Sequence, residues 1–282
     1  MQYSVVIPVY NRRESILASI ESVVEQTYPP QEVIVVDDGS TDGTVERIQQ
    51  CGANVRLLQT GGRTGACNAR NMGTHAAIHD TVAFQDSDDV WLPSKMEQQL
   101  ERLEEGHFDA VFCSFIKDFE SGQERGGWSR EIANSGSACK TLLLKKNYVS
   151  TQTLVVRKKA FETAGGFDKD LRRFQDWDLA IRLSLLMPIG FVDEPLVRVK
   201  QTGTRLSNNR REGIISRRRI LEKYKNHYLN APEIHSQMLL DLGLRQACIP
   251  QPIAASKSLL KAARYLISNT LTSTKREAAQ NG

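Results

Sequence analysis

Three carboxylates fall within four positions of FQDSDD (84–89): Asp86, Asp88 and Asp89. Like charges this close repel, so the stretch needs a cation or hydrogen-bond donors beside it. Asp86 and Asp88 alternate around Ser87, and in extended or turn geometry both carboxylates converge on one ion. Two carboxylates completed by water and phosphate oxygens suit Mg²⁺ or Mn²⁺. The same acids would equally serve an acidic turn that caps a helix starting near Pro93, a residue favoured at the first helical position. A second acidic pair lies in FQDWDL (174–179). Asp176 there is either a helix cap or a general base able to take a proton from a hydroxyl. Asp178 and Arg182, four apart, are expected to pair on the helix surface. Trp177, Ile181 and Leu185 share one helical face and read as core.

The elements that must carry these residues alternate between two periods. Strands are expected at 3–9, 33–38, 55–59, 81–86 and 108–116. Helices are expected at 14–26, 44–51, 66–78 and 93–105, the first with Ile16, Ile20, Val23 and Val24 on one face. Strand–helix alternation with short connections implies βαβ units and a largely parallel sheet in an α/β fold. Ligands of such sheets collect outside the carboxyl ends of the strands. Three polar segments fall there: Pro8 to Asn11, Asp37 to Ser40, and Asp86 to Asp89. The small residues Ala66, Ala69 and Gly73 let the helix bearing Arg70 approach the sheet; a salt bridge from Arg70 to Asp37 or Asp38 is its structural alternative. Tyr10 offers a ring on which a pyrimidine could stack, or a core side chain.

Beyond about residue 117 the pattern loosens. Residues 120–136 read as a loop rich in Gly and Ser. Residues 151–168 read as a strand, a short helix and a Gly-Gly turn, and 174–187 as an amphipathic helix. From about 208 onward the chain reads as helical, dividing it into residues 1–207 and a helical extension, 208–282. At 282 residues a chain buries roughly 75% of its unfolded surface, so a substantial core is expected. Five scattered cysteines without metal-ligand spacing favour a reducing compartment. His75, His79, His107, His227 and His235 are isolated. No run approaches the ~18 apolar residues of a membrane span, and the first residues do not form a secretory signal. The net charge of +4 is concentrated in 208–228 and the last forty residues. That basic stretch is either a solvated helix face or a surface for an anionic partner. Aromatic residues are not interleaved with the basic ones, which argues against nucleic acid. Residues 256–271 carry an apolar stripe of Leu259, Leu260, Ala263, Leu266 and Ile267 beside Lys257, Lys261 and Arg264. Both an interfacial helix and an ordinary packed helix look like this.

Five segments in order, SVVIPVYNR (4–12), VIVVDDGSTDGT (33–44), GACNARNMG (65–73), FQDSDD and FQDWDL, resemble the family 2 inverting glycosyltransferases of the GT-A fold. The resemblance covers roughly residues 3–200. It implies an inverting transfer from a nucleotide-sugar donor, UDP-linked, to a hydroxyl of a glycan acceptor. Pro8, Tyr10, Asp38, Arg70 and Asp86 are then nucleotide- and donor-binding. Asp38 accepts the N3 hydrogen of uracil, Asp37 fixes its loop, and Asp86 faces the ribose and sugar. Asp88 holds Mn²⁺ or Mg²⁺ against the diphosphate, and Asp176 is the general base. Members of this kind extend polyprenyl-linked surface glycans, which fits a cytoplasmic enzyme peripheral to the inner face of the membrane. Two departures from the family pattern stand out. Gln175 replaces the usual Glu before the base. VRVKQTGTRLS (197–207) lacks the expected His, leaving Arg198, Lys200 or Arg205 to meet the diphosphate. A sugar-nucleotide pyrophosphorylase is disfavoured because PVYNRR holds no glycine for a phosphate loop. A catalytically silent nucleotide-binding scaffold is the rival from another class.

Overall fold

The run of branched and aliphatic residues after Tyr3 folds as β1 (Ser4–Val9), buried along its whole length. The computed structural model describes residues 1–119, 122–126, 139–200 and 210–247. β2 (Glu32–Asp37) and β3 (Arg56–Gln59) lie parallel to β1 on one side, and β4 (Thr81–Phe84) lies parallel to it on the other. Val9 stands opposite Asp37 and Asp37 opposite Gln59, so three strands end in line. The connecting helices are α1 (Ile16–Val24), α2 (Thr44–Gln49) and α3 (Ala66–Ala76). α1 buries Ile16, Ile20 and Val23, the face its periodicity marked out. On α3, a Cβ at Gly73 would come within 2.5 Å of Val6 Cγ1, so this helix lies against β1 more closely than any side chain permits.

Beyond β4 come β5 (Val90–Trp91), α4 (Lys95–Glu105), β6 (Ala110–Phe119) and β7 (Gly122–Gly126). Then follow α5 (Cys139–Lys145), a turn of 3₁₀ helix (Thr151–Thr153), β8 (Val155–Arg157) and α6 (Lys158–Thr163). α7 (Gln175–Leu186) and β9 (Ile189–Lys200) complete the set. The sheet order is β3-β2-β1-β4-β8-β6-β9-β5, with β7 on β6. The parallel ladders carry most of the register, but β8, β5 and β7 enter antiparallel, so the sheet is mixed. The loop expected over 120–136 is corrected at Gly122–Gly126, which pair with Phe115–Phe119 as a hairpin arm.

Pro8 lies inside β1 rather than after it. A proline lacks the N–H a central strand would use. β4 pairs with β1 only at Ser4, Val5 and Val6, so the side of β1 where Pro8 would donate has no strand to receive the bond.

Lys95 opens α4 and is fully buried. Its ammonium sits 3.8 Å from the Trp91 ring centroid and 3.6 Å from the Met96 sulfur. Burial pushes this amine down to about 8.

By its contacts the chain forms two units, and the sheet belongs to the first. The second holds Leu144–Lys146, Leu171–Phe174 and the chain from Thr204, described as α8 (Arg210–Lys223), α9 (Lys225–Leu229) and α10 (Pro232–Ala247). Its interior is Ile220, Leu221, Tyr224, Tyr228, Ile234, Met238 and Leu242. Tyr228 donates its hydroxyl to the Leu144 carbonyl at 2.9 Å, and Arg217 covers Phe174 while donating to Asp241. The helical reading holds for these residues. The stripe at 256–271, the tail, Cys248 and Arg205 lie outside the described residues. No helix among the described residues is long and apolar enough to cross a membrane.

Candidate active site

The loops after β1 and β2 are laced together. Asn11, in left-handed backbone at φ 49°, donates its N–H to Ser40 Oγ and accepts from Thr41 N–H through Oδ1. The Arg12 N–H donates to Thr44 Oγ1. Asp37 accepts from the N–H groups of Gly39 and Ser40, a turn that Gly39 closes at φ 87°. Asp37 thus fixes its own loop.

Asp38 has a heavier load. Its Oδ1 accepts from Thr64 N–H and from the Thr64 and Thr60 hydroxyls, each at 2.8 Å, and Oδ2 accepts from Gly65 N–H at 2.7 Å. Burial works against the charge, but the Thr64, Gly65 and Thr60 bonds outweigh it and hold the carboxyl below its ordinary range. Across the gap, the Arg63 guanidinium stands 4.5 Å from the centroid of the Tyr10 ring.

The acidic turn is held from both sides. Ser15 and Ser19 of the α1 region donate their hydroxyls to the carbonyls of Ser87 and Asp86. Asp89 N–H donates back to Asp86 O, and Gln85 Nε2 to Asp89 O. The three carboxylates then part company. Asp86 Oδ1 accepts from Arg70 Nη2 at 2.6 Å. Asp88 lies 3.7 Å from Arg12 Nη2. Asp89 is buried and turned inward, accepting from Gln152 Nε2 at 2.7 Å and from Lys200 N–H at 3.1 Å. The repulsion is therefore relieved partly by two arginines and partly by withdrawing one acid into the fold.

Arg70 bonds to Asp86, not to Asp37 or Asp38, and its guanidinium also stands 5.4 Å from the Phe167 ring. Burial disfavours its charge, yet the neighbouring Asp86 and, further off, Asp176 hold its proton more firmly than usual. Asp176 is the second residue of α7. Its Oδ1 accepts from Trp177 N–H at 2.7 Å and from Asn147 Nδ2 at 3.3 Å. Burial pushes the Asp176 carboxyl up to about 6, against the Trp177 bond and the Arg70 charge, while Asp86 adds to the push. Trp177, Ile181 and Leu183 go to the core, and Trp177 donates its indole N–H to the Leu143 carbonyl. The Asp178–Arg182 pair forms at 2.6 Å, but Asp178 is fully buried, so the expected surface pair is corrected to an interior one. Arg182 also donates to the Ala164 carbonyl.

Arg70, Asp86 and Asp176 thus form one charged group, with Asp88 on the same turn as Asp86. Tyr10 and Asp38 lie by the neighbouring loops, and Pro8 is buried in β1. Four residues that sequence reasoning passed over are Arg63, Asn147, Asp89 as a tie, and Gln152. Only Arg63 carried a signal: a cation between glycines in TGGRTG, just past a strand end.

Among the described residues no group of three or more His, Cys, Asp or Glu could hold a metal. A protein-only cage is absent there, while a single half-buried carboxylate, Asp88, fits an ion that keeps water and phosphate oxygens as ligands.

A sheet carrying an acidic turn at the carboxyl end of a parallel strand, with an acid of raised pKa nearby, has the architecture of GT-A glycosyltransferases. The model of Glycosyl transferase family 2 matches residues 4–165, and the chain belongs to that family. It is 28% identical to the amylovoran biosynthesis glycosyltransferase AmsB of Erwinia amylovora, covering 94% of this chain and 90% of the relative. It is 29% identical to the UDP-Glc:alpha-D-GlcNAc-diphosphoundecaprenol beta-1,3-glucosyltransferase WfgD of Escherichia coli, over 52% of this chain and 61% of the other. Against other curated glycosyltransferases, from Rickettsia, the chain spans only 29% to 33% of their length. The fold matches the mannosyltransferase PcManGT from Pyrobaculum calidifontis, solved with GDP-Man and Mn²⁺. That match has a TM-score of 0.66 and 17% identity, over 99% of this chain and 80% of the other. S. aureus TarS 1-349 with UDP-GlcNAc aligns at a TM-score of 0.61 and 18% identity, over 95% of this chain and 73% of the other.

Proposed function

We propose that this chain transfers a sugar, hexosyl or N-acetylhexosaminyl, from a UDP-linked donor to a hydroxyl of a glycan acceptor in surface-polysaccharide biosynthesis. The single observation that carries the reading is Asp176, an acid raised to about 6 beside Arg70 and Asp86. A base poised near neutrality is what deprotonation of an acceptor hydroxyl requires.

The step is a single displacement that inverts the anomeric centre. The acceptor hydroxyl passes its proton to a carboxylate oxygen of Asp176 as its own oxygen bonds the anomeric carbon. The bond from that carbon to the diphosphate oxygen breaks, and the nucleoside diphosphate leaves with the electron pair. Tyr10 and the loop held by Asp38 receive the base, and buried Pro8 shapes the end of β1 beneath it. Asp86, held by Arg70, faces the ribose and sugar. Asp88 would hold Mn²⁺ or Mg²⁺, which when bound offsets the charge gathering on the diphosphate. Orientation of the bound donor and acceptor supplies much of the remaining rate.

The names of two relatives favour a glycan acceptor, and one names a lipid-diphosphate-linked acceptor and a UDP donor. Exposed Ile215 among the arginines of α8, with exposed Leu229 on α9, supports the reading of a cytoplasmic enzyme peripheral to the inner leaflet. The test is release of UDP from a panel of UDP-sugars, with Mn²⁺ or with chelator, in wild type and Asp176→Asn. Metal-dependent turnover lost in Asp176→Asn, with UDP binding intact, supports the reading. Nucleotide binding without turnover for any donor and acceptor leaves only the silent scaffold.

A further inference from the structure

We propose that Arg173 and Arg217, gathered on the Phe174 ring, form the seat for the diphosphate of a lipid-linked acceptor. The inference rests on the glycan-acceptor reading above and goes beyond it by naming the acceptor's anchoring group and what grips it.

The first observation is convergence. The guanidinium carbons of Arg173 and Arg217 stand 5.0 and 4.4 Å from the centroid of the same Phe174 ring, so they lie at most 9.4 Å apart. Arg245 joins them: its Nε and that of Arg217 both donate to Asp241 Oδ2, at 2.8 and 3.1 Å. All these residues belong to the second unit. The second observation is the room made for Arg173. A Cβ on Gly213 would come within 2.6 Å of Arg173 Nη1. Gly213 lies inside α8, where glycine weakens a helix relative to alanine. The helix therefore gives up a side chain where Arg173 lies against it. The third is Phe174 itself, in left-handed backbone at φ 63°, a conformation that bulky residues rarely adopt. Strain of this kind collects at ligand clamps.

Cations held this close repel one another. α8 carries five arginines and a lysine against two acids. Burial, Arg245 and Arg173 together loosen the Arg217 proton against the pull of Asp241. An anion arriving there relieves the repulsion. Guanidinium forks match phosphate oxygens in pairs. A diphosphate offers oxygens on two phosphorus atoms and so meets two forks at once. Arg217 is recessed, with 15% of its side chain exposed, whereas a flat leaflet would meet exposed Arg218 and Arg219 first. The chain also ties the seat to the acceptor. Arg173 stands three residues before Asp176, so their Cα atoms are at most about 10 Å apart. That tether brings a sugar whose anomeric oxygen carries the diphosphate within reach of the proposed base.

The test titrates geranyl diphosphate and UDP into wild type, Arg173→Gln and Gly213→Ala, and sediments each protein with phosphatidylglycerol vesicles. Arg173→Gln is expected to weaken geranyl diphosphate roughly tenfold, the size of one charged hydrogen bond, and to leave UDP unchanged. Gly213→Ala keeps every charge and favours the helix, but it crowds Arg173 from its place. It should weaken geranyl diphosphate while vesicle binding stays at the wild-type level, with thermal denaturation showing the fold intact. The seat is overturned if Arg173→Gln binds geranyl diphosphate as wild type does, or if UDP weakens by the same factor. It is overturned equally if vesicle binding falls as far as geranyl diphosphate binding, since the arginines then serve the leaflet. Wild type that binds UDP but no geranyl diphosphate removes the seat and leaves the sugar-transfer reading standing. Wild type that binds neither, with or without Mn²⁺, brings down both.

Discussion

Arg70 Nη2 stands 2.6 Å from Asp86 Oδ1, and the cation is the deeper partner, with 9% of its side chain exposed against 27% for the acid. The bond joins the middle of α3 to the acidic turn after β4. Arg70→Ala strands Asp86 beside Asp176 with no cation between them. Stability should fall by about 2 kcal/mol, below the 3–5 kcal/mol of a fully buried pair because water still reaches Asp86. Asp176 should also titrate higher, since a cation that favoured its charge is gone. Urea denaturation and the acid limb of the pH–rate profile measure the two effects, and an unchanged limb would separate Arg70 from Asp176.

As the proposed base, Asp176 should make activity and stability respond oppositely to pH. Its carboxyl stands at about 6 in the fold against 3.8 as the ordinary value. The native state therefore binds its proton more tightly than the unfolded chain does. Stability from this group is full below pH 4, falls as pH rises through 4 to 6, and is lost above 6. The proposed base Asp176 works in its ionised form, so activity should rise over pH 5 to 7. Asp176→Asn should lower turnover by roughly 10²–10⁴-fold and stabilise the protein by about 1–2 kcal/mol at pH 8. At pH 4 the stability gain should vanish; a gain of equal size at both pH values would refute the titration argument.

Asp89→Ala removes the acceptor for both Gln152 Nε2 and the Lys200 amide. A loss of about 1–3 kcal/mol is expected, because the buried Gln152 amide and the part-buried Lys200 N–H lose their acceptor. Asp89→Asn keeps an acceptor and should cost less. Hydrogen exchange locates the effect: the Lys200 amide should lose protection in Asp89→Ala before the amides of β1 do.

Lys95→Met should stabilise the protein. The buried amine stands at about 8 against an ordinary 10.5, so the fold binds its proton more weakly than the unfolded chain. The cost is complete below pH 8 and fades as pH climbs toward 10.5. Methionine fills a similar volume without a charge, and a gain of about 1–3 kcal/mol at pH 7 is expected, shrinking by pH 10. Thermal denaturation at the two pH values reads it; destabilisation at pH 7 would mean the ring contact with Trp91 outweighs desolvation.

What the sequence made legible is what depends on near neighbours. Ile16, Ile20 and Val23 announce α1, and the branched run before Asp37 announces β2, because 3.6- and 2-residue periods are local. The acids of FQDSDD stood out for the same reason. What stayed hidden depends on tertiary pairing. Asp89 finds its partners 63 and 111 residues away, and Asn147 reaches Asp176 across 29. No pattern in the chain distinguishes the inward acid of that turn from the outward ones. Lys95 hid differently: a lysine opening a helix after Pro-Ser reads as solvated, and only the ring of Trp91 shows where it went.

Asp37 and Asp38 spend their oxygens on backbone and hydroxyl donors of adjoining loops. The ordering of that corner is therefore settled when the chain folds, before any nucleotide arrives. On the proposed function, a donor meets a rigid socket there rather than one it must assemble, and only exposed side chains remain to be immobilised on docking. The entropy of association at this end should accordingly be that of a few rotors, not of a loop.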